Sequence, residues 1–369
     1  MTAATRGPVL VVGAGLLGAS VGLRLRALGV DVRLQDPSRT AVALARDVGA
    51  GRPCAPDDDE PALVVVAAPP DVTAQVVRDE LDRHPAAVVT DVASVKGHVL
   101  AELRASGAAL DRYVGSHPMA GRERSGPSAA VPDLFLGRPW VIAAAAESSP
   151  EAALVVRELA VDLGAVPLTM DADEHDAAVA AVSHVPQVVS SLVAARLTDV
   201  EGDALGLAGQ GLRDVTRIAA SDPELWTSIL AANSAAVLPV LVALRADLDD
   251  VIAALAEADV ADGPETVGPG ALVTIARAIA RGNDGVARIP GKHGGAQRAY
   301  DEVAVLVPDE PGALARLLTD VGDADVNLED LRLEHAAGRP VGMAVISVLP
   351  AAVAHLEAEL TARGWRLVV

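Results

Sequence analysis

Two kinds of residue are scarce in this chain of 369 residues, and each shortage excludes a class of protein. Cys54 is the one cysteine, so the chain cannot build a disulfide framework or a metal site from several cysteines. Aromatic residues make up 2% of the sequence, which predicts cores filled with alanine and valine instead. This cysteine usage fits a reducing compartment, and we expect a cytoplasmic location.

Positive charge is also scarce. Thirty lysines and arginines stand against fifty acidic residues, which gives a net charge of −20. This charge repels nucleic-acid phosphates and acidic membrane surfaces, so we expect neither as a partner. We expect no membrane span either, because the apolar segment 177–195 contains His184, Pro186, Gln187 and three serines. With 51% hydrophobic and 22% charged residues, the composition is that of a folded globular protein.

The pattern of hydrophobic residues divides the chain into three predicted domains of an α/β protein. Residues 1–170 alternate short Val/Ala-rich runs with helical patterns, which predicts a doubly wound parallel sheet of the Rossmann type. Residues 171–281 are predicted to be all-helical, beginning with a capping box at Asp171. The Gly-rich, basic segment 282–300 is predicted to be a linker, and residues 301–369 have the βαββαβ order of a ferredoxin-like domain.

The first predicted strand runs into the glycine-rich turn G-A-G-L-L-G. Gly13 permits the tight turn, Gly15 lets a pyrophosphate approach the backbone, and Gly18 lets the helix pack on the strand. The free N–H groups of the helix start, around Leu16 and Leu17, would face the phosphates. The full strand–turn–helix context favours a dinucleotide site over a turn without a ligand.

Asp36 ends the second predicted strand, at the distance expected for a ribose-binding acid. Its carboxylate would accept hydrogen bonds from the ribose 2′-hydroxyl and repel a 2′-phosphate, so NAD is favoured over NADP. Arg39 follows closely and leaves some tolerance of NADP open.

Two further clusters follow predicted strands of the first domain. Ser94 and Lys96 belong to the segment D-V-A-S-V-K at the carboxyl end of a strand, where ligands of doubly wound sheets bind. His117 lies between glycines and a proline in a predicted loop, and such rigid loops usually position a functional group.

The predicted helix from Asp171 carries one polar stripe on an otherwise apolar surface. Asp176 and Gln187 differ by only ~20° around an α-helix, Ser183 shares their face, and His184 lies one turn from Gln187. The stripe lacks the lysine, arginine and glutamate of a solvated face. It therefore predicts the buried polar wall of a cleft.

Two arginines follow, Arg213 and Arg217, with Trp226 shortly after them. Arginine binds carboxylates in a bidentate manner, so a substrate that carries a carboxylate is expected. A surface ion pair is the alternative for each arginine.

Together these motifs resemble the bacterial prephenate/arogenate dehydrogenase family of tyrosine biosynthesis, with a C-terminal ACT domain. The matching segments occur in order along essentially the whole chain: G-A-G-L-L-G, D-V-A-S-V-K, G-S-H-P-M-A-G-R-E, S-H-V-P-Q, G-L-R-D-V-T-R-I-A, S-D-P-E-L-W, R-I-P-G-K-H-G and P-D-E-P-G-A-L. The resemblance implies an NAD-dependent enzyme that oxidatively decarboxylates prephenate to 4-hydroxyphenylpyruvate. Reductases with a similar two-domain layout, such as β-hydroxyacid or imine reductases, lack this combination of motifs.

The resemblance also implies roles for single residues. His117 matches the catalytic histidine, which would accept a hydroxyl proton while NAD⁺ takes a hydride, and Ser94 matches the serine that supports it. A structural loop histidine is the alternative for His117. The residues implied to bind or gate the substrate are Glu123, Asp176, His184, Gln187, Arg213, Arg217 and Trp226.

Gln187 departs from the family pattern, which commonly has a second histidine at this position. The position is implied to face the side chain of the substrate, where prephenate carries a keto group and arogenate an ammonium. An amide N–H can donate to a keto acid, which favours prephenate, whereas the amide oxygen could accept from an ammonium. Both substrates therefore remain open.

The C-terminal segment resembles an ACT module, a ligand-sensing fold. Pro311 and Gly312 in the strand-to-helix turn, and Asn327 at the start of the next strand, match positions that line an amino-acid site in such modules. L-tyrosine is the expected feedback ligand, and a domain that only dimerises is the alternative.

The long, apolar helical domain favours a homodimer. A catalytically silent sensor is disfavoured by the intact Ser94, His117 and Arg217, and no chorismate mutase segment is expected.

Overall fold

The computed structural model describes residues 3–121, 126–259, 268–290, 300–335 and 341–368. The chain forms two compact units. One comprises Met1–Asp199 and Val215–Leu244, and the other comprises Val200–Asp214 and Arg245–Val369.

An eight-stranded sheet forms the centre of the first unit. In chain order its strands are β1 (Val9–Val12), β2 (Val32–Gln35), β3 (Arg52–Pro53), β4 (Leu63–Val66), β5 (Val88–Asp91), β6 (Tyr113–Pro118), β7 (Pro139–Ala143) and β8 (Val166–Thr169). Their spatial order is β3-β2-β1-β4-β5-β6-β7-β8, and every neighbouring pair is parallel except β6 with β7. The order reverses between β1 and β4, where doubly wound sheets bind their ligands.

Helices cover both faces of this sheet. They are α1 (Leu16–Ala27), α2 (Arg39–Asp47), α3 (Pro70–Arg83), α4 (Gly97–Ser106) and α5 (Pro150–Asp162). Val9 and Val11 of β1 belong to the core shared with α1 and α5, whereas Leu10 and Val12 belong to the core shared with α3 and α4. A strand that is buried on both faces must be apolar at every position, which explains the unbroken Val/Leu runs. The predicted Rossmann-type α/β fold is confirmed.

The segment after β8 is helical, as predicted. Its helices are α6 (Ala172–Val179), α7 (Val185–Arg196), α8 (Gly202–Leu205), α9 (Gln210–Thr216), α10 (Pro223–Ala232), α11 (Ser234–Asp259) and α12 (Pro269–Ala287). The predicted capping box opens α6, where the N–H of Glu174 donates to Asp171 Oδ1 at 2.7 Å and the N–H of Asp171 donates to Glu174 Oε2 at 3.3 Å. A π-helical turn, Ala180–His184, joins α6 to α7. Such turns are frequent at functional sites.

Two stretches of this segment meet the length and composition of a membrane-spanning helix. They are Ala172–Asp199 and, if the 96° bend between α10 and α11 is disregarded, the pair Pro223–Ala232 and Ser234–Ala258. The first stretch holds Asp176, His184 and Gln187, all buried within the protein. Buried polar groups of this kind are typical of a helix that packs in a protein core.

The predicted linker is wrong over its first residues. Helix α12 continues from Pro269 to Ala287, six residues into the predicted segment 282–300, while 291–299 lie outside the described residues. Gly282 and Gly285 are isolated, and each costs a helix about 1 kcal/mol relative to alanine, which weakens the helix without ending it.

A four-stranded sheet forms the C-terminal part of the second unit. The elements are β9 (Asp301–Pro308), α13 (Ala313–Asp323), β10 (Asp330–His335), β11 (Val341–Val348), α14 (Val353–Ala362) and β12 (Arg366–Val368). The strands are antiparallel in the order β10-β11-β9-β12, and Leu317, Leu356 and Leu360 of the two helices fill the core against them. The predicted βαββαβ order is confirmed.

Candidate active site

The glycine-rich turn has the geometry that its sequence predicts. Gly13 has φ +105°, and a Cβ there would lie 2.2 Å from the carbonyl oxygen of Ala67, so only glycine fits. A Cβ at Gly18 would lie 1.9 Å from the Gly13 carbonyl oxygen, which shows how closely α1 packs on the turn. A Cβ at Gly15 would meet no atom within 4 Å. The backbone is therefore approachable at Gly15, beside the helix start formed by Leu16 and Leu17.

Asp36 lies directly after β2, and backbone N–H groups hold its carboxylate. The N–H of Ala14 donates to Asp36 Oδ2 at 2.8 Å, and the N–H of Ser38 donates to Asp36 Oδ1 at 2.7 Å. Asp36 and Arg39 both line a cleft of about 780 Å³. The cleft is large enough for the adenosine half of a dinucleotide, and Asp36 is pre-positioned within it.

His117 lies within β6 and not in the predicted loop, because β6 extends through Pro118 by pairing with β7. Its Nδ1 is 2.8 Å from His175 Nε2, and His175 Nδ1 is 2.8 Å from Asp176 Oδ1. His175, which was not predicted as a site residue, is fully buried between them. The three side chains form a continuous hydrogen-bonded chain.

This chain fixes where the protons lie. An ionised Asp176 can only accept, so His175 Nδ1 carries a proton and donates it to the carboxylate. In a neutral imidazole the other nitrogen, here His175 Nε2, is then an acceptor, and His117 Nδ1–H donates to it. The other ring nitrogen of His117, Nε2, keeps a free lone pair, which is the form a general base requires.

Asp176 is ionised because three hydrogen-bond donors face its carboxylate. Burial alone would raise the pKa of Asp176, but hydrogen bonds from His175 and from the backbone of Lys96 and Gly97 outweigh burial and lower this pKa. The N–H of Lys96 donates to Oδ1 and that of Gly97 donates to Oδ2, each at 2.8 Å. Asn233 donates to the backbone carbonyl of Asp176, and not to its carboxylate, at 2.9 Å.

The pKa of His117 lies well below its ordinary value of 6.5. The main cause is burial, which disfavours the imidazolium, and the nearby His175, Lys96 and His184 add to the shift. His117 is therefore neutral at pH 7 and able to take up a proton.

A buried charged cluster supports the strands beside His117. The ammonium of Lys96 is bonded to Asp91 Oδ1, and the hydroxyl of Tyr113 donates to Asp91 Oδ2 at 2.7 Å. Burial lowers the pKa of Lys96 while Asp91 opposes that shift, and burial raises the pKa of Tyr113. Ser94 lies between Asp91 and Lys96 in the sequence, and its side chain is half-buried. Among the described residues, no hydrogen bond joins its hydroxyl to His117.

Three of the four predicted residues of the polar stripe are buried, whereas Ser183 is half-buried. Asp176, His184 and Gln187 are 8%, 1% and 6% exposed. Burial lowers the pKa of His184 to about 4, with Asp176 opposing the shift and His175 adding to it. The edge of the His184 ring contacts Trp226, with ring centroids 5.9 Å apart. Gln187 Nε2 donates to Ser191 Oγ at 3.3 Å.

The remaining predicted residues are exposed or lie outside the described ranges. Arg217 is exposed on a 3₁₀ turn that packs against α7 in the first unit, whereas Arg213 is exposed on α9 and belongs to the second unit. Glu123 lies outside the described residues.

In the C-terminal sheet, Pro311 and Gly312 form the turn before α13, where Gly312 has φ +89°. Asn327 lies three residues before β10 and not at the start of a strand, and it donates to Glu329 at 2.6 Å. Within the described ranges, no three His, Cys, Asp or Glu side chains are arranged to hold a metal ion.

Comparison with known proteins matches both parts of this arrangement. The family model for the nucleotide-binding domain of prephenate dehydrogenase matches residues 21–168, and the model for its dimerisation domain matches 171–265. A probable prephenate dehydrogenase of Streptomyces niveus, NovF, is 38% identical over 358 residues, which span 96% of this chain and 98% of that protein.

Two solved structures share the fold and are at least 25% identical to this chain. Prephenate dehydrogenase from A. aeolicus, in complex with hydroxyphenyl propionate and NAD⁺, has a TM-score of 0.63 at 25% identity and covers 75% of this chain and 97% of its own. Synechocystis arogenate dehydrogenase has a TM-score of 0.59 at 27% identity and covers 75% of this chain and 98% of its own. With its nucleotide turn, its buried histidine chain and these matches, the chain belongs to the prephenate dehydrogenase family.

Proposed function

We propose that this protein is an NAD-dependent prephenate dehydrogenase that converts prephenate to 4-hydroxyphenylpyruvate and CO₂. The observation that carries the proposal is the hydrogen-bonded chain from His117 Nδ1 through His175 to Asp176, from which we infer a lone pair on His117 Nε2. A neutral, half-buried base is suited to removing the proton of an alcohol during oxidation.

The cofactor is held by the glycine turn and Asp36. When bound, NAD⁺ supplies the hydride acceptor. Gly15 leaves space for the pyrophosphate at the start of α1, and the Asp36 carboxylate accepts from a ribose hydroxyl in the adjoining cleft. A carboxylate at this point disfavours the 2′-phosphate of NADP.

His117 acts on the hydroxyl of the substrate ring. It takes the hydroxyl proton as the C–H bond of the same carbon releases a hydride, so that carbon gains carbonyl character. The bond from the ring to its carboxylate then breaks, CO₂ leaves, and the electron pair of that bond makes the ring aromatic. His117 returns its proton to the ring oxygen, which leaves the histidine ready for another turnover. Ser94 supports the histidine or the hydroxyl from the end of β5.

Arg217 and Gln187 are the proposed contacts to the rest of the substrate. Arg217 holds a carboxylate from the turn that packs on α7. Gln187 Nε2 has two hydrogens and donates one to Ser191, so the second N–H remains for a keto oxygen. This spare donor favours prephenate over arogenate. The amide oxygen, which the Ser221 hydroxyl approaches at 3.4 Å, keeps arogenate as the second candidate.

The proposal extends to assembly and regulation, which concern the other two parts of the chain. We propose a cytoplasmic homodimer through the helical segment, which matches the dimerisation domain of the family and exposes large apolar side chains along α11 and α12. L-tyrosine is the proposed feedback ligand of the C-terminal sheet, at Pro311, Gly312 and Asn327.

Parallel assays of NADH formation with prephenate and arogenate at equal concentrations test the proposal. A faster rate with prephenate supports the role of Gln187 as a donor to a keto group. A faster rate with arogenate would keep the family chemistry but overturn the choice of substrate. Turnover of neither would leave the protein as a sensor.

A further inference from the structure

Asn233 connects two members of the polar stripe, Asp176 and His184. It lies between α10 and α11, is 3% exposed, and points its amide nitrogen at two acceptors. Nδ2 is 2.9 Å from the carbonyl oxygen of Asp176 and 3.0 Å from His184 Nδ1. One amide group therefore contacts both the residue that orients His175 and a histidine of the predicted substrate wall.

These two contacts determine the orientation of the amide. A backbone carbonyl oxygen can only accept, so the side-chain nitrogen of Asn233, and not its oxygen, must face Asp176. The second hydrogen of the same nitrogen then points at His184 Nδ1. That ring nitrogen must carry a lone pair, because a proton on Nδ1 would meet the amide hydrogen head-on. The proton of neutral His184 is consequently on Nε2.

The Nε2–H group of His184 has no acceptor in the described part of the chain. The nitrogen is buried, and no hydrogen bond to it is present. A buried N–H without an acceptor costs free energy unless a bound molecule satisfies it. His184 also lies close enough to His117 to lower the pKa of that base. The unsatisfied Nε2–H of His184 is therefore suited to donate a hydrogen bond to an oxygen of the molecule on which His117 acts.

We propose that Asn233 is a positioning residue that holds His184 as a neutral Nε2–H donor for an acceptor oxygen, keto or carboxylate, of the substrate. This inference rests on the proposed function for the identity of the substrate, but the proton position in the free protein does not depend on it. The low pKa of His184, about 4, agrees with a ring that stays neutral. The titratable groups that act on His184 are Asp176 and His175.

The proton position is tested directly by two-bond ¹H–¹⁵N correlation spectra of the histidine-labelled full-length protein at pH 7. His184→Gln assigns the signals of His184 by their disappearance. We expect a protonated Nε2 and an unprotonated Nδ1, and we expect Asn233→Ala to lose this preference. A protonated Nδ1 in the unaltered protein would overturn the inference, whether or not prephenate is turned over.

Substitution of His184 itself gives a second test through kinetics. Glutamine places an amide nitrogen near the position of Nε2, whereas asparagine places one near Nδ1. We expect His184→Gln to keep the KM for the preferred substrate within about threefold, and His184→Asn to raise it about tenfold with a smaller change in kcat. An equal rise in both variants would contradict a donor role for Nε2.

Asn233 is tested by coupling it to His184. Asn233→Ala should raise the KM for the substrate about tenfold in the unaltered background. It should have little effect on KM when residue 184 is already glutamine, because no imidazole proton is left to position. Ser148→Ala removes a partly buried hydrogen bond to the Tyr113 carbonyl, at the opposite end of β6 from His117, and controls for a general loss of stability. Equal KM effects of Asn233→Ala in both backgrounds would show that Asn233 is merely structural.

Discussion

Two histidines of the first unit share a charge state but differ in where their protons lie. Burial lowers the pKa of both His117, at the end of β6, and His184, in the turn before α7. His117 Nδ1 faces a ring nitrogen of His175 that accepts, whereas His184 Nδ1 faces an amide of Asn233 that donates. The first histidine is left with a lone pair on Nε2 and the second with an N–H. Burial thus sets the charge, and the partner of Nδ1 decides between base and donor.

Removing the base should have the largest effect. We expect His117→Asn to lower kcat by about 10²–10⁴ with little change in substrate binding, because the variant loses the proton acceptor and keeps the pocket. Single-turnover NADH formation with prephenate measures this loss. A near-normal kcat would show that His117 has only a structural role in β6.

Breaking the chain behind His117 should come next. In Asp176→Asn the neutral amide no longer requires a proton on His175 Nδ1, so the lone pair of His117 Nε2 is no longer enforced. We expect kcat to fall about 10- to 100-fold, with the effect of Asp176 on KM smaller than its effect on kcat. Steady-state kinetics with prephenate separates the two constants, and circular dichroism verifies folding. A rise in KM alone would assign Asp176 to substrate binding and not to the chain.

The pH dependence of kcat/KM tests the charge state of His117. Because the folded pKa of His117 is depressed, the neutral base persists as the pH falls through 6.5 and is lost only at lower pH. We expect kcat/KM for prephenate to be flat near neutrality, with its acid limb below pH 6.5. An acid limb at or above pH 6.5 would mean that burial does not control the charge of His117.

The smallest effect is expected from replacing Trp226, whose ring packs on His184. Trp226→Leu removes the edge contact, and we expect the free energy of unfolding to fall by about 0.5–1.5 kcal/mol beyond the loss of buried area. Urea denaturation measures the change. Leu225→Ala, on the same helix but 45% exposed, is the matched control and should change stability little. An equal loss of stability in both variants would show that the contact between the two rings does not stabilise the fold.

Features that depend on neighbouring residues were predictable from the sequence. The glycine turn, Asp36 and the capping box of α6 each depend on short spacings, and the structure shows the geometry that those spacings require. The doubly wound sheet followed from alternating patterns in the same way. Local chemistry was enough because each of these features is completed within about one βα unit.

The histidine chain was not predictable because its members are far apart in the sequence. His117 and His175 are separated by 58 positions and meet only through the packing of α6 beside β6 and β7. The π turn at Ala180–His184 has no strong sequence signal either, so the helical-wheel angle between Asp176 and Gln187 did not include it. Asn233 was missed because a lone buried amide resembles any other loop residue until its partners are known.

The carboxylate of Asp36 is a candidate cofactor contact, and it also stabilises the fold by a hydrogen bond to the glycine turn. Since the N–H of Ala14 bonds to it, Asp36 ties the glycine turn to the end of β2. An engineer who exchanges this residue to admit a phosphorylated ribose would also release the turn that must receive the pyrophosphate. Changing the cofactor of this protein therefore requires a replacement anchor for Ala14 together with the new charge.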